Sequence, residues 1–223
     1  MNKPSHTSQY LILVEGKNDR EVFHHLLTHH GIYKGVVECK ACEGETRLLK
    51  EFAVRLKTGD LEPLGVVIDA DDNLGARWDS LKYTLSQAGY ASIPQDPMAE
   101  GTILQQEDKP TVGIWIMPDN KLPGMLEDFV SFLVPQGDPL WGQAKDCLDE
   151  IPEPQRKFKK HFAKAHIHTW LAWQEEPGTP LGSAINKRYL DADALHAKNL
   201  IDWVRRLFGL QKRDEQVANE PTS

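Results

Sequence analysis

Short apolar segments alternate with helical patterns over the first half of the chain. Four segments, 9–15, 35–41, 63–72 and 111–120, have the length and composition of buried strands. Strands that alternate with helices through short links indicate a mainly parallel sheet with helices on both faces. The sequence therefore predicts an α/β fold with a doubly wound, four-stranded sheet in the order 2-1-3-4. The segment 101–107 can add a hairpin or edge strand beside the fourth strand.

The helices are predicted from apolar spacing and from cap residues. Asn18 and Glu21 resemble a capping box for a first helix that ends at Gly31, and Thr46 can cap a second helix that stops at Gly59. Beyond Pro123 the pattern becomes helical, in the ranges 124–134, 140–151, 154–174 and 192–209. The predicted organisation is a tail at 1–8, an α/β domain at 9–135, a helical C-terminal region at 136–211 packed on it, and a tail at 212–223.

Composition limits the class of protein. Hydrophobic residues make up 40% of the chain and charged residues 26%, which is typical of a globular protein. No apolar run approaches the ~18 residues that span a bilayer, and the N-terminus lacks a signal-peptide core, so we expect a cytoplasmic protein without a membrane partner. The net charge of -7 argues against tight, non-specific DNA binding by the chain unaided. It does not exclude a nucleic-acid enzyme whose carboxylates hold metal ions.

Carboxylates follow two of the predicted strands. Glu15 ends the first strand, and Asp69, Asp71 and Asp72 end the third. In the predicted order these strands are neighbours, and ligands of open α/β sheets bind beyond the carboxyl ends of strands. Asp19, in the first turn of the next helix, can reach the same place. Like charges at such short range favour a divalent cation such as Mg²⁺ or Mn²⁺, although solvated loop carboxylates are the alternative interpretation.

Two further features refine this predicted site. Asp69 and Asp71 are two residues apart, so an extended backbone would place both side chains on one face. Gly16 permits a tight turn and a close approach of phosphate to a helix N-terminus, which makes Gly16 and Lys17 candidate phosphate-binding residues.

The same residues carry a resemblance to a known family. The strand ending in Glu15-Gly16, the acidic Asp19 four residues later, and the later strand ending in Asp69-Ala70-Asp71 resemble the TOPRIM domain over residues 9–130. Within that superfamily the chain looks most like small stand-alone proteins of the OLD-like branch. The resemblance implies that Glu15 binds metal or acts as general base, and that Asp19, Asp69 and Asp71 bind metal, with Asp72 as an addition.

The resemblance also implies a catalytic lysine and a partner. OLD-like nucleases are expected to use a downstream lysine to stabilise charge on the scissile phosphate. Lys160, Lys164 and Lys187 are candidates, and Lys164 is the preferred one. Some relatives are encoded beside ABC-type ATPases in phage-defence systems. This chain has no Walker A motif, so any such ATPase would be a separate chain.

Several other residues have two interpretations each. Glu127 is a candidate second-metal ligand, but with Asp119 and Asp128 it can instead serve helix capping. The basic stretch 157–168 can contact phosphates. Alternatively, its aromatic residues can face the core while its lysines lie on the solvent-exposed side of the helix. Cys39-x-x-Cys42 could share zinc with the distant pair His166 and His168, but two buried thiols are favoured. Four histidines lie on the first helix, and a surface face is favoured over a metal site for this cluster of His24, His25, His29 and His30.

Together these features predict a Mg²⁺- or Mn²⁺-dependent phosphodiester hydrolase that acts on DNA or RNA, as a monomer or a homo-oligomer. The alternative is a non-catalytic, TOPRIM-like module that binds metal or nucleotide and acts with an ATPase partner. A third interpretation is a phosphotransfer enzyme on a flavodoxin-like fold, in which Asp69 would be phosphorylated.

Overall fold

A five-stranded sheet lies at the centre of the molecule. The computed structural model describes residues 10–58 and 61–211. The predicted tails at 1–8 and 212–223, and the predicted helix stop at Gly59, lie outside the described residues. The strands are β1 (Tyr10–Val14), β2 (Val37–Ala41), β3 (Leu64–Asp69), β4 (Thr102–Leu104) and β5 (Val112–Met117). The helices are α1 (Lys17–His29), α2 (Glu45–Arg55), α3 (Leu74–Gln87), α4 (Leu126–Ser131), α5 (Pro139–Asp149), α6 (Phe162–Ala172), α7 (Leu181–Asn186) and α8 (Leu195–Phe208).

The strand order is β2-β1-β3-β5-β4. β1 pairs in parallel with β2 and β3, and β3 pairs in parallel with β5. The α/β class and the mostly parallel sheet are confirmed. The prediction of a four-stranded sheet in the order 2-1-3-4 is wrong, because a fifth strand, β4, forms within the segment 101–107 that the sequence offered as a possible hairpin or edge strand. This short strand pairs antiparallel with β5, with Ile103 opposite Gly113, and covers the edge of β5 from Val112 to Ile114.

Helices cover both faces of the sheet, as the alternation of side chains along the strands requires. In β3, Val66 and Ile68 join a core formed with α2 and α3, whereas Val67 joins the core on the opposite face. That second core contains residues of α1, α4, α5, α6, α7 and α8. None of the described helices is long and apolar enough to cross a membrane.

Two glycines allow the C-terminal helix to lie directly on the sheet. Gly65 of β3 and Gly113 of β5 are partners in the parallel ladder. A Cβ on Gly113 would lie 2.5 Å from Cδ2 of Leu207 in α8, and one on Gly65 would lie 3.3 Å from the same atom. The helical C-terminal region therefore shares its core with the sheet.

The helix boundaries correct several predictions. α1 is capped by Gly16 rather than Asn18, and α2 by Gly44 rather than Thr46. The helix predicted over 154–174 is shorter, because its N-cap residue His161 has a left-handed backbone with φ 61°. The segment 177–189, whose glycines and prolines indicate turns, contains α7, a helix of six residues.

Candidate functional site

An open cavity of about 580 Å³ lies at the carboxyl ends of β1 and β3, where the N-termini of α1, α2 and α4 also meet. This acidic cavity is built from separate parts of the chain, including one residue from the C-terminal helical region. Seven residues singled out from the sequence line it: Glu15, Gly16, Lys17, Asp19, Asp69, Glu127 and Lys164. The adjacency of β1 and β3 brings Glu15 and Asp69 together.

Main-chain N–H groups orient three of the carboxylates. The Asp69 N–H donates to Glu15 Oε1 at 2.8 Å, and the Leu126 N–H donates to Asp69 Oδ1 at 3.0 Å. The Gly16 N–H donates to Asp19 Oδ2 at 3.1 Å, which is how Asp19 caps α1. The Gly16 N–H, which the sequence offers as a candidate phosphate donor, thus donates to Asp19 in this structure. Lys17 is exposed at the rim of the cavity.

The acidic cavity concentrates negative charge away from water. Burial, reinforced by the charges of Asp19 and Glu15, raises the pKa of Asp69 to about 9. Burial also raises the pKa of Glu15 to about 7 and that of Asp19 to about 6. Carboxyl groups in such surroundings either hold protons or bind cations. The arrangement therefore favours a positively charged ligand.

Lys164 supplies a cation to this cavity. Its Nζ lies 3.0 Å from Oε1 of Glu127, whose side chain is 5% exposed. Lys164 reaches the cavity from α6, so the helical region completes the site that the sheet begins. The other two candidate lysines lie elsewhere: Lys160 is 4.0 Å from Asp72, and Lys187 pairs with Glu176. The structure thus places the preferred lysine, and neither of the others, in the acidic cavity.

Asp71 and Asp72 do not line the acidic cavity. β3 ends at Asp69, and Asp71 has a left-handed backbone with φ 52°, so the expectation that Asp69 and Asp71 share a face is wrong. Asp71 Oδ2 instead accepts a hydrogen bond from Arg77 Nη2 at 2.7 Å. Asp72 is 95% exposed. Both line an adjoining hollow of about 540 Å³ with Lys160.

Arg77 is a site residue that the sequence did not reveal. Its side chain, 7% exposed, lies in the first turn of α3 and donates from Nε to the carbonyl oxygen of Asp69 at 2.6 Å. Its two terminal nitrogens contact Asp71 and Glu45. Arg77 therefore fixes the backbone of Asp69 and holds the turn after β3. The sequence gives no signal for it beyond an arginine shortly after the aspartates.

Oxygen-only ligands suit Mg²⁺ or Mn²⁺, and the acidic cavity offers them from Glu15, Asp19, Asp69 and Glu127. No three of their ligand atoms lie within 4.8 Å of one another. Among the described residues, the ligand atoms of His29, His30 and Asp193 do. An ion in the cavity would therefore contact part of this set through water, as Mg²⁺ commonly does.

The histidine and cysteine candidates have simpler explanations. His29 Nε2 lies 3.2 Å from Asp193 Oδ2, and His30 Nε2 lies 2.9 Å from the Ala192 carbonyl oxygen. These hydrogen bonds tie the end of α1 to the segment before α8. The three cysteines are free.

Two other acidic residues serve helix and loop capping. Asp128 Oδ2 accepts the Met125 N–H at 2.9 Å, and Asp119 Oδ1 accepts the N–H groups of Lys121 and Leu122. The capping interpretation therefore holds for Asp128 and Asp119, whereas Glu127 faces the acidic cavity.

Fold and site define an α/β protein with an open acidic cavity at the carboxyl edge of a mainly parallel sheet. The model of one family, a protein of unknown function (DUF3226), matches residues 9–209. The chain belongs to this family. No curated protein and no solved structure matches the chain.

Proposed function

We propose that this protein is a divalent-metal-dependent phosphodiester hydrolase that acts on nucleic acid, with Mg²⁺ or Mn²⁺ as cofactor. The observation that supports the proposal is the convergence of Glu15, Asp19, Asp69, Glu127 and Lys164 in one open cavity. The TOPRIM resemblance of the strand-end motifs points to the same chemistry.

Each residue has a defined task in this proposal. Asp69, Asp19 and Glu127 would hold the ion, directly or through its waters, and Glu15 would share in this or accept a proton from the attacking water. A bound divalent ion supplies Lewis-acid chemistry that lowers the pKa of a bound water and neutralises phosphate charge. Lys164, whose side chain is 52% exposed, is positioned to contact a phosphate oxygen.

The substrate class follows from the charges beside the acidic cavity. Lys160 lies in the adjoining hollow, and Lys164 lies in the cavity, so two cations flank the acidic site on the side of α6. A phosphodiester backbone carries the complementary charge, and its binding would weaken as salt increases. The net charge of -7 limits this affinity, which supports a requirement for a partner that brings the nucleic acid to the site.

The test is a cleavage assay on single-stranded and duplex DNA and RNA with Mg²⁺, Mn²⁺ or a chelator. We expect metal-dependent cleavage by the natural protein, reduced at least about 100-fold in Glu15→Gln and Asp69→Asn. Asp72→Asn is the matched control, since Asp72 is an exposed aspartate outside the acidic cavity, and it should retain activity within about threefold. Undiminished cleavage by folded Asp69→Asn protein would contradict the proposal.

A second candidate function is a non-catalytic module that binds metal or nucleotide. The ion pair between Lys164 and Glu127 favours it, because this contact already neutralises one cavity carboxylate without a ligand. This alternative would be supported if calorimetry detected binding of Mn²⁺ that Asp69→Asn abolishes, and if none of the four nucleic acids were cleaved.

An ABC-type ATPase partner and a role in phage defence rest on the resemblance to the OLD-like branch. Co-purification of the protein with the product of a neighbouring ATPase gene would support them. Cleavage that depends on that ATPase would link the partner to the acidic cavity.

A further inference from the structure

One edge of the sheet is left open by the described part of the chain. β2 is the terminal strand and pairs with β1 alone. The Tyr10 N–H donates to the Val36 carbonyl, and the Cys42 N–H donates to the Val14 carbonyl. In a parallel ladder alternate residues point to opposite sides, so the main-chain groups of Cys39 and Ala41 face away from β1.

A groove of about 450 Å³ runs along this edge. Leu27, Ile32, Val37 and Cys39 form its apolar part, and exposed charged side chains line its rim. A strand laid along β2 would therefore find both free main-chain groups and apolar surface. Unpaired edges of this kind recruit further strands.

The side chains of β2 select the strand that fits. Its sequence from Val37 to Ala41 carries Glu38 and Lys40, both exposed, on either side of Cys39. If two copies of β2 pair antiparallel about a two-fold axis at Cys39, Glu38 of each copy lies opposite Lys40 of the other. Registers shifted by two residues would instead place Glu38 opposite Glu38, or Lys40 opposite Lys40. Charge complementarity therefore specifies one register.

The main chain fits the same register. Because the Cys39 N–H and carbonyl both face outward, the two Cys39 residues would form a hydrogen-bonded pair. Glu38 and Lys40 would then form the closer, non-hydrogen-bonded pairs, where side-chain interaction is stronger. Lys40 Nζ also lies 2.7 Å from Glu51 Oε1, and 44% of its side chain stays exposed for a second carboxylate.

We propose that two copies of this chain associate through β2, antiparallel about Cys39, to form one continuous ten-stranded sheet. The inference is independent of the proposed nuclease function, because the open edge lies outside the acidic cavity. Five-residue edges bury little surface, so the dimer is expected to be weak and to depend on concentration.

Sedimentation equilibrium of the full chain at several concentrations tests the proposal. The natural protein should dimerise. Glu38→Lys should raise the dissociation constant at least about tenfold, because the introduced lysine would lie opposite Lys40 of the other copy at both symmetry-related positions. The double variant Glu38→Lys with Lys40→Glu restores both pairs and should return the constant to within about threefold of the natural value. Glu107→Lys, the same charge change in the loop between β4 and β5, is the control and should have no effect.

Hydrogen exchange provides a second measurement that needs no variant. The Cys39 and Ala41 amides should exchange quickly in dilute protein and slowly at high concentration, while the Cys42 amide, bonded to Val14, stays protected in both. A monomer at every concentration would overturn the proposal, and the β2 edge would then be available only to a strand of another protein. A dimer whose constant is unchanged in Glu38→Lys would overturn it equally.

Discussion

Asp69 lies at the end of the central strand, and its N–H, its carbonyl oxygen and one carboxylate oxygen, Oδ1, are hydrogen-bonded. Its N–H contacts Glu15, its carboxylate accepts the Leu126 N–H, and its carbonyl oxygen accepts Arg77. These contacts hold the Asp69 side chain where burial and neighbouring carboxylates disfavour a negative charge. The pKa of Asp69 is therefore raised to about 9. A residue fixed in an unfavourable electrostatic environment is characteristic of a functional site.

The raised pKa values of the acidic cavity predict how stability depends on pH. Asp69 titrates near 3.8 when unfolded and near 9 when folded, so between these values the folded protein binds more protons than the unfolded chain. The free energy of unfolding therefore falls as pH rises through this range. We expect the melting temperature to fall by roughly 5 °C or more between about pH 6 and about pH 9 without metal.

Asp69→Asn tests the origin of that decline. The variant cannot ionise, so its melting temperature should fall less steeply with pH than that of the natural protein. Excess Mg²⁺ should flatten the natural curve in the same way, since a cation replaces the protons. Equal slopes for the two proteins would show that Asp69 is not the group responsible.

Lys164 is predicted to stabilise the fold as well as to serve the site. Lys164→Ala leaves Glu127, 5% exposed, without its cation. The expected loss is about 1–2 kcal/mol in the free energy of unfolding, below the value for a fully buried pair because Lys164 is half exposed. Lys160→Ala, at an exposed lysine four residues away, should change it by less than about 0.5 kcal/mol. Urea denaturation measures both, and equal stabilities would contradict the prediction.

At the scale of elements, the contact between α8 and the sheet depends on Gly113. Gly113→Ala would place a Cβ 2.5 Å from Leu207 Cδ2, so we expect a loss of about 1–3 kcal/mol in the free energy of unfolding from overpacking. Gly142→Ala is the matched control within α5, where nothing lies within 4 Å. It should instead stabilise by up to about 1 kcal/mol, since alanine favours helix. Thermal denaturation of both variants distinguishes packing from backbone effects.

The parallel strands were predictable because their signals are local: an apolar run followed by a turn residue. β4 has only three residues, so the segment 101–107 indicated no more than a possible hairpin or edge strand. α7 has six residues, too few for a clear periodic pattern. The position of Asp71 could not be predicted, because the prediction assumed an extended backbone. Asp71 instead has a left-handed backbone, and its side chain pairs with Arg77. Arg77 itself carries no motif, since its function depends on groups brought together by folding.

The predicted domain boundary at residue 135 can be tested. The core on one face of the sheet includes Trp115 and Met117 of β5 together with Trp170 of α6 and Trp203 of α8. A chain that ends at residue 135 would expose this face to water. We expect it to lose near-ultraviolet circular dichroism and to bind hydrophobic dye, whereas a chain ending at residue 211 should not. Cooperative unfolding of the shorter chain would establish residues 9–135 as an independent domain.

The two edges of the sheet differ in a way that limits the size of any assembly. β4 closes one edge with only three residues, whereas β2 leaves the other edge with five. A sheet with two equally open edges could add copies without end and grow into a fibre. In the proposed dimer, both copies would use the same β2 surface, so association would be complete at two. The short β4 strand would thus act as a terminator of polymerisation.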